Sequence, residues 1–229
     1  MKIYIKQEFR LTLSIITAFI VFLPIICQAD KPTYKAKHNP EKKETVIGLS
    51  VVLPEHKLNE EAEWVVLGCP DRNASGFTEK GEPALYSLTY FISIPKDAKV
   101  KGITLTPQIK AVELNKPIIP IPEPVLIGTP PKPPVPDEEI YNSSEPYPKK
   151  DFDYELAKQA STRMLVLTLY PFKYIGQSKT LIVYEYMDIE IILEAKDWKS
   201  NPHPRNAVDK NLKMKLVNPE DSFFQGGAQ

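Results

Sequence analysis

The sequence predicts an all-β protein: an antiparallel β-sandwich, jelly-roll-like, with one long proline-rich loop. Three observations predict it. Apolar and polar residues alternate with a period of two over several separate stretches, which places successive side chains on opposite faces of a strand. Turn-forming residues punctuate those stretches at short intervals, with no convincing long helical pattern between them. Proline is abundant, 23 of 229 residues, and belongs in connections and edges because it cannot donate to a sheet ladder.

In chain order, residues 1–29 form a secretory signal. Lys2, Lys6 and Arg10 precede an apolar run over 11–26, and Cys27, Gln28 and Ala29 place small residues at the positions a signal peptidase reads before a cut between Ala29 and Asp30. The run is somewhat short for a membrane span, so no stable membrane anchor is expected after cleavage, and the chain is assigned to a secreted, periplasmic or extracellular compartment. Residues 30–44 are polar and predict a flexible lead-in. The sandwich is expected over 45–195.

Within it, 45–53 is a first strand, 55–63 a charged loop or one helical turn, and 64–67 a second strand. Residues 71–82 form a long turn. A third strand over 84–94 has its even-numbered side chains, Tyr86, Leu88, Tyr90, Ile92 and Ile94, directed at the core. A further strand over 100–114 is interrupted at Pro107 by a bend or bulge. Residues 116–136 are an extended, partly polyproline connection across the surface, with Ile118, Ile119, Ile121, Val125, Leu126 and Ile127 suggesting that parts of it lie against the body. Residues 155–161 are a loop or short helical turn. The stretch 163–194 is expected to be one long β-hairpin: Met164 to Tyr170 reads as its first arm and Leu181, Val183, Met187, Ile189, Ile191 and Leu193 as the inward face of its second. Glu185 alone is out of step, and Gly176 supplies a positive φ in the turn. Residues 196–229 are a C-terminal extension without periodicity, frayed after Asp221; 206–217 could hold a short strand or helix.

Lys+Arg and Asp+Glu both total 29, so no electrostatic footprint for nucleic acid is present and no nucleic-acid partner is expected. After signal cleavage Cys69 is the remaining cysteine, which leaves no internal disulfide. His38, His56 and His203 lie in unrelated settings, and no local motif joins any of them to Cys69 as a thiol–imidazole dyad. No clustered ligand set suggests a metal, and no cofactor is expected. Tyr170, Phe172, Tyr174, Tyr184 and Tyr186 could form a sugar-stacking platform or simply belong to core and sheet.

Several runs together resemble the gingipain propeptide family, the N-terminal prodomain of C25 cysteine endopeptidases. They are Gly81-Glu82-Pro83-Ala84-Leu85; Ile94-Pro95-Lys96-Asp97-Ala98-Lys99-Val100; Glu139-Ile140-Tyr141-Asn142-Ser143-Ser144-Glu145-Pro146-Tyr147-Pro148; Leu167-Thr168-Leu169-Tyr170-Pro171-Phe172-Lys173-Tyr174; and the alternating run 179–193. They occur in the family's order across 46–194. Tyr86 departs from the proline usual after Leu85, and Lys149 from the glycine usual after Pro148.

The resemblance implies a non-catalytic sandwich that shields an immature cysteine peptidase and helps it fold, here with no peptidase domain following and a C25-type peptidase as partner in trans. It also implies an exposed loop carrying a basic residue into the peptidase's primary pocket. In this chain that loop falls on 116–136, with Lys132 the preferred basic residue and Lys116 the second. The competing expectations are a truncated or degenerate peptidase precursor, and a secreted binding module for glycan or a surface partner.

Overall fold

The computed structural model describes residues 31–224 except 131, 196, 197, 200, 202 and 205. The expected signal and its Ala29/Asp30 cleavage point lie outside the described residues.

Eleven strands and two short helices are present among the described residues. One antiparallel sheet runs β1 (Thr33–Asn39), β2 (Glu44–Val52), β11 (Thr180–Glu194) and β10 (Phe172–Ile175), with β7 (Lys99–Glu113) on the other side of β11. A second runs β5 (Ala74–Gly76), β6 (Tyr86–Ile94), β9 (Thr162–Leu169) and β8 (Phe152–Gln159). The two pack face to face: Ile47, Leu49 and Val51 with Met187, Ile189, Ile191 and Leu193 of the first meet Leu88, Tyr90, Ile92, Leu165, Leu167 and Leu169 of the second. The even-numbered face of β6 reaches the core from Leu88 to Ile94, and Tyr86 is only half-buried. The hairpin of β3 (Lys57–Glu61) and β4 (Trp64–Gly68) covers a smaller apolar cluster of Val65, Leu67, Cys69, Leu85, Ile118, Phe172, Tyr174, Leu181 and Val183.

Several local expectations are corrected. The stretch 163–194 is not one hairpin: β9 pairs with β6 and β8 in one sheet, whereas β11 pairs with β2, β7 and β10 in the other. Periodicity fixes which face a strand buries but not which strand it pairs with, and the short β10 after Pro171 takes the place beside β11. Gly176 does not use a positive φ; Lys179 does, at 50°. Glycine is needed at 176 for clearance, because a Cβ there would sit 2.4 Å from the Tyr141 backbone. Glu185 is the extra residue of a bulge, between pairs Tyr184–Ile109 and Tyr186–Gln108, so β7 passes through Pro107 unbroken.

The supposed lead-in holds β1, an edge strand whose lysines and histidine suit an exposed edge. The charged loop 55–63 contains β3, and 155–161 lies largely in β8. Both are edge strands whose side chains are mostly exposed; β3 has Leu58 as its one apolar residue, and β8 alternates Phe152, Tyr154 and Leu156 with Asp153 and Glu155 before ending in polar residues.

The C-terminal extension is docked over its described residues. Helix α2 (Ala207–Lys215) is capped by Asn206, whose side chain accepts from Asp209 N–H at 2.9 Å. Buried Asp209 accepts from the Ser161 hydroxyl at 2.9 Å. Beyond it, Asn218 and the buried Phe223 and Phe224 lie along β6 and β9. No described helix is long and apolar enough to cross a membrane.

Candidate functional site

The feature that departs most from the sandwich is the proline-rich stretch. Its first part, where Ile118, Ile119 and Ile121 are expected against the body, threads between β4 and the segment 81–84. Val65 N–H donates to Pro117 O at 2.8 Å, and Ile119 N–H donates back to Val65 O at 2.9 Å. On the other side Ala84 N–H donates to Ile119 O at 2.9 Å and Ile121 N–H to Glu82 O at 2.8 Å. The isoleucine amides supply the donors that Pro117 and Pro120 lack, and Ile118 is fully buried.

From 122 the chain leaves the body and returns at 136, and both ends are held by one residue. Gly81 N–H donates to Ile121 O at 2.9 Å, and Asp137 N–H donates to Gly81 O at 2.9 Å. Gly81 has φ +86°, a conformation that disfavours a Cβ, and an added Cβ would lie 3.2 Å from Asp137 N. Asp137 then caps α1 (Glu138–Tyr141), accepting from Glu139 N–H at 2.9 Å. Tyr141 anchors that turn by donating to Ile118 O at 2.8 Å. Farther along, Tyr147 donates its hydroxyl to Glu82 and exchanges backbone hydrogen bonds with Tyr174, at 2.9 and 2.7 Å. Burial first and the Glu82 carboxylate second push the Tyr147 phenol well above its ordinary value, so it acts as a neutral donor.

The loop itself is exposed, so Val125, Leu126 and Ile127, expected against the body, are not: they fall beyond the last backbone bond at Ile121, where the chain has left the sheet. A turn closed by Thr129 N–H donating to Leu126 O at 3.0 Å forms its tip, where Leu126 is 83% and Ile127 107% exposed. Lys132 lies on the returning limb. Its ammonium is 3.2 Å from Glu123 Oε2, which Lys80 also approaches at 3.2 Å. The two ammonium groups, Lys132 foremost, hold the Glu123 carboxyl below its usual range. Lys116 lies outside the projecting loop, paired with Glu60 at 3.2 Å. The two lysines read from the sequence are therefore not brought together. The sequence reading missed Gly81 as the clamp and Glu123 as the counter-ion. Glu123 is the sole acid between Lys116 and Lys132, which was an available signal.

The other candidates fall into the framework. Cys69 is buried, and burial pushes its thiol up, away from the reactive thiolate. His38 Nδ1 is 2.8 Å from the Thr45 hydroxyl, and the His56 ring stands edge-on to Phe172. Phe172, Tyr174 and Tyr184 are buried, so the hairpin aromatics form no continuous exposed stripe. Among the described residues no group of three or more His, Cys, Asp or Glu could hold a metal ion.

A family model for the propeptide of C25 peptidases, Propeptide_C25, matches residues 69–225. The chain belongs to that family. No curated protein matches it. Two solved structures from Porphyromonas gingivalis are similar to this C25 propeptide. One concerns the zymogenic latency of gingipain K: 18% identity, TM-score 0.55, 72% of this chain and 94% of that one. The other is a complex of the RgpB pro- and mature domains: 14% identity, TM-score 0.58, 84% of this chain and 100% of that one. At such identities the likeness shows the fold: an all-β gingipain-prodomain architecture. The family match covers the C-terminal segment through α2 to 224, consistent with its docking on the body, and is to a propeptide rather than a catalytic domain.

Proposed function

We propose that this chain binds the mature domain of a C25-type cysteine peptidase, holds it inactive and assists its folding, and that it is exported after cleavage between Ala29 and Asp30. The observation that carries the reading is the loop 122–136, which stands off a rigid sandwich and is pinned at both ends by Gly81. Prolines at 122, 124, 130, 133, 134 and 136 restrict its φ angles. A segment so restricted gives up less entropy on entering a cleft than a free loop would. The chain's membership of the propeptide family and its fold similarity to a prodomain solved with its mature domain support the same partner class.

The test is to titrate purified chain, starting at Asp30, into a C25-type peptidase encoded by the same genome and follow peptide hydrolysis. Saturable inhibition at or below micromolar chain is expected. Full activity at tens of micromolar would reject the proposal. For export, N-terminal sequencing of the protein recovered outside the cytoplasm should begin at Asp30.

A further inference from the structure

An endopeptidase takes its substrate as extended chain. It needs several residues that can leave the fold and a recognisable side chain beside the bond it cuts, and exposed loop tips offer both. Ten large hydrophobic side chains are exposed among the described residues. Four stand in strands and two in α2, where ladder or helix hydrogen bonds hold the backbone. The other four, Val125, Leu126, Ile127 and Val135, belong to the loop. Val135 lies between Pro134 and Pro136. Leu126 and Ile127 are the two most exposed of the ten. Between residues 122 and 136 the described backbone makes one internal hydrogen bond, the Thr129 to Leu126 turn, with Gly128 at φ +90° inside it.

Proline decides where this loop can be cut. A proline on the amine side of a bond has no N–H, and its ring crowds the residue before it, so bonds ahead of proline resist general endopeptidases. Both lysines of the stretch precede proline, as Lys116-Pro117 and Lys132-Pro133. A peptidase that recognises a basic residue therefore finds no bond to cut between 116 and 136. Residues 125–129 are the one proline-free run there longer than two residues, and the large side chains in it are aliphatic.

We propose that the loop is a proteolytic release site: an endopeptidase that recognises aliphatic side chains cuts it at Leu126–Ile127 and so ends the inhibition proposed above. Water adds to the Leu126 carbonyl carbon, the C–N bond to Ile127 breaks and the leaving nitrogen takes a proton. Leu126 ends as a carboxylate and Ile127 as an ammonium. Each stump keeps its hydrogen bond to Gly81, but the limb carrying Lys132 is now tethered at one end only. The conformational restriction that favours entry of the closed loop into a cleft is lost. The cut site stands on the loop alone, and the release rests on the proposed function.

The test is limited proteolysis of the native chain from Asp30, read by intact-mass spectrometry. Thermolysin, which cuts before aliphatic residues, should cut first between Val125 and Gly128 and leave two fragments that co-elute on gel filtration. Trypsin should make no cut between Lys116 and Pro136, and a tryptic cut there overturns the proline argument. Leu126→Asp/Ile127→Asp should slow the thermolysin cut roughly 10–100-fold, with an unchanged thermal midpoint showing the sandwich intact. A first thermolysin cut elsewhere, or an undiminished rate in that variant, overturns the site. Nicked chain should inhibit the C25-type peptidase with a Ki raised on the order of tenfold or more. Nicked chain as potent as intact chain overturns the release while the site stands. Intact chain that fails to inhibit overturns the proposed function and the release with it, and the fragment masses still decide the site.

Discussion

Asp137 donates its backbone N–H to the carbonyl oxygen of Gly81 at 2.9 Å, closing a loop whose other end is bonded to the same residue's N–H. That double use depends on the φ of +86° at Gly81. Gly81→Ala should cost about 1–2 kcal/mol from the left-handed backbone alone, with the 3.2 Å approach to Asp137 N adding to it. Urea unfolding should report the loss, and hydrogen exchange at the Asp137 amide should quicken. Unchanged protection there would show that the loop is not clamped at this point.

Gly176 makes a different prediction because its constraint is space. A Cβ would lie 2.4 Å from the Cα and carbonyl oxygen of Tyr141, and backbone cannot rotate away as a side chain can. Gly176→Ala must separate the β10–β11 turn from α1, at a cost of roughly 3 kcal/mol or more. The expected result is a large fall in the unfolding midpoint. Because Tyr141 also bonds Ile118, weaker protection of the Ile119 and Ile121 amides should accompany it.

These two glycines mark how far the sequence could be read. Gly176 was identified as necessary, but for its φ, since the approach of Tyr141 from thirty-five positions away leaves no local trace. The buried faces of β2, β6, β9 and β11 were legible because alternation records which side meets the core. Pairing was not: nothing in 164–170 says that Leu167 faces Tyr90 across the ladder rather than a residue of β11. Edge strands β1 and β3 escaped because few apolar side chains mark either face, whereas β8 carries Phe152, Tyr154 and Leu156 on one face, a period that was passed over because it is short and ends in Lys158 and Gln159. The proline stretch announced the candidate site and Ile118 was read against the body, but so was Ile127, whose exposure depends on where the body lies.

Helix α2 falls within 206–217, where the sequence left a short strand or helix open, but the docking of the C-terminal segment was not legible, because side chains and isolated backbone bonds rather than a ladder hold it. Asn218 donates to Ser93 O at 2.9 Å and accepts from Ser93 N–H at 2.8 Å, with both residues buried. Asn218→Leu should leave that peptide donor and acceptor unpaired in the interior, costing about 2–6 kcal/mol at roughly 1–3 kcal/mol per group. Chemical denaturation would measure it. A loss under about 0.5 kcal/mol would mean that water reaches Ser93 and the segment is peripheral to stability.

Burial of a charge sets up the last prediction. Lys173 is 4% exposed in β10, with its ammonium 2.5 Å from Asp151 Oδ1 and 3.1 Å from Lys149 O. Tyr184 donates to the same Asp151 oxygen at 2.7 Å. Burial is the largest single influence on Asp151 and raises its pKa, but Lys173 and Tyr184 together outweigh it, so the carboxyl ends below its ordinary value. A depressed folded-state pKa means that the unfolded chain binds the proton first. The stabilisation is therefore complete above about pH 5 and is lost as pH falls below about 4 toward the folded value. Asp151→Asn strands the Lys173 charge. Breaking a buried pair costs about 3–5 kcal/mol, and with Asp151 44% exposed about 1–3 kcal/mol is expected near pH 7. Lys173→Met removes the charge together with its need for a partner and should cost less than Asp151→Asn. Unfolding measured from pH 7 to pH 2.5 should show wild type and Asp151→Asn converging at the acid end. Parallel curves would rule out Asp151 as the titrating partner.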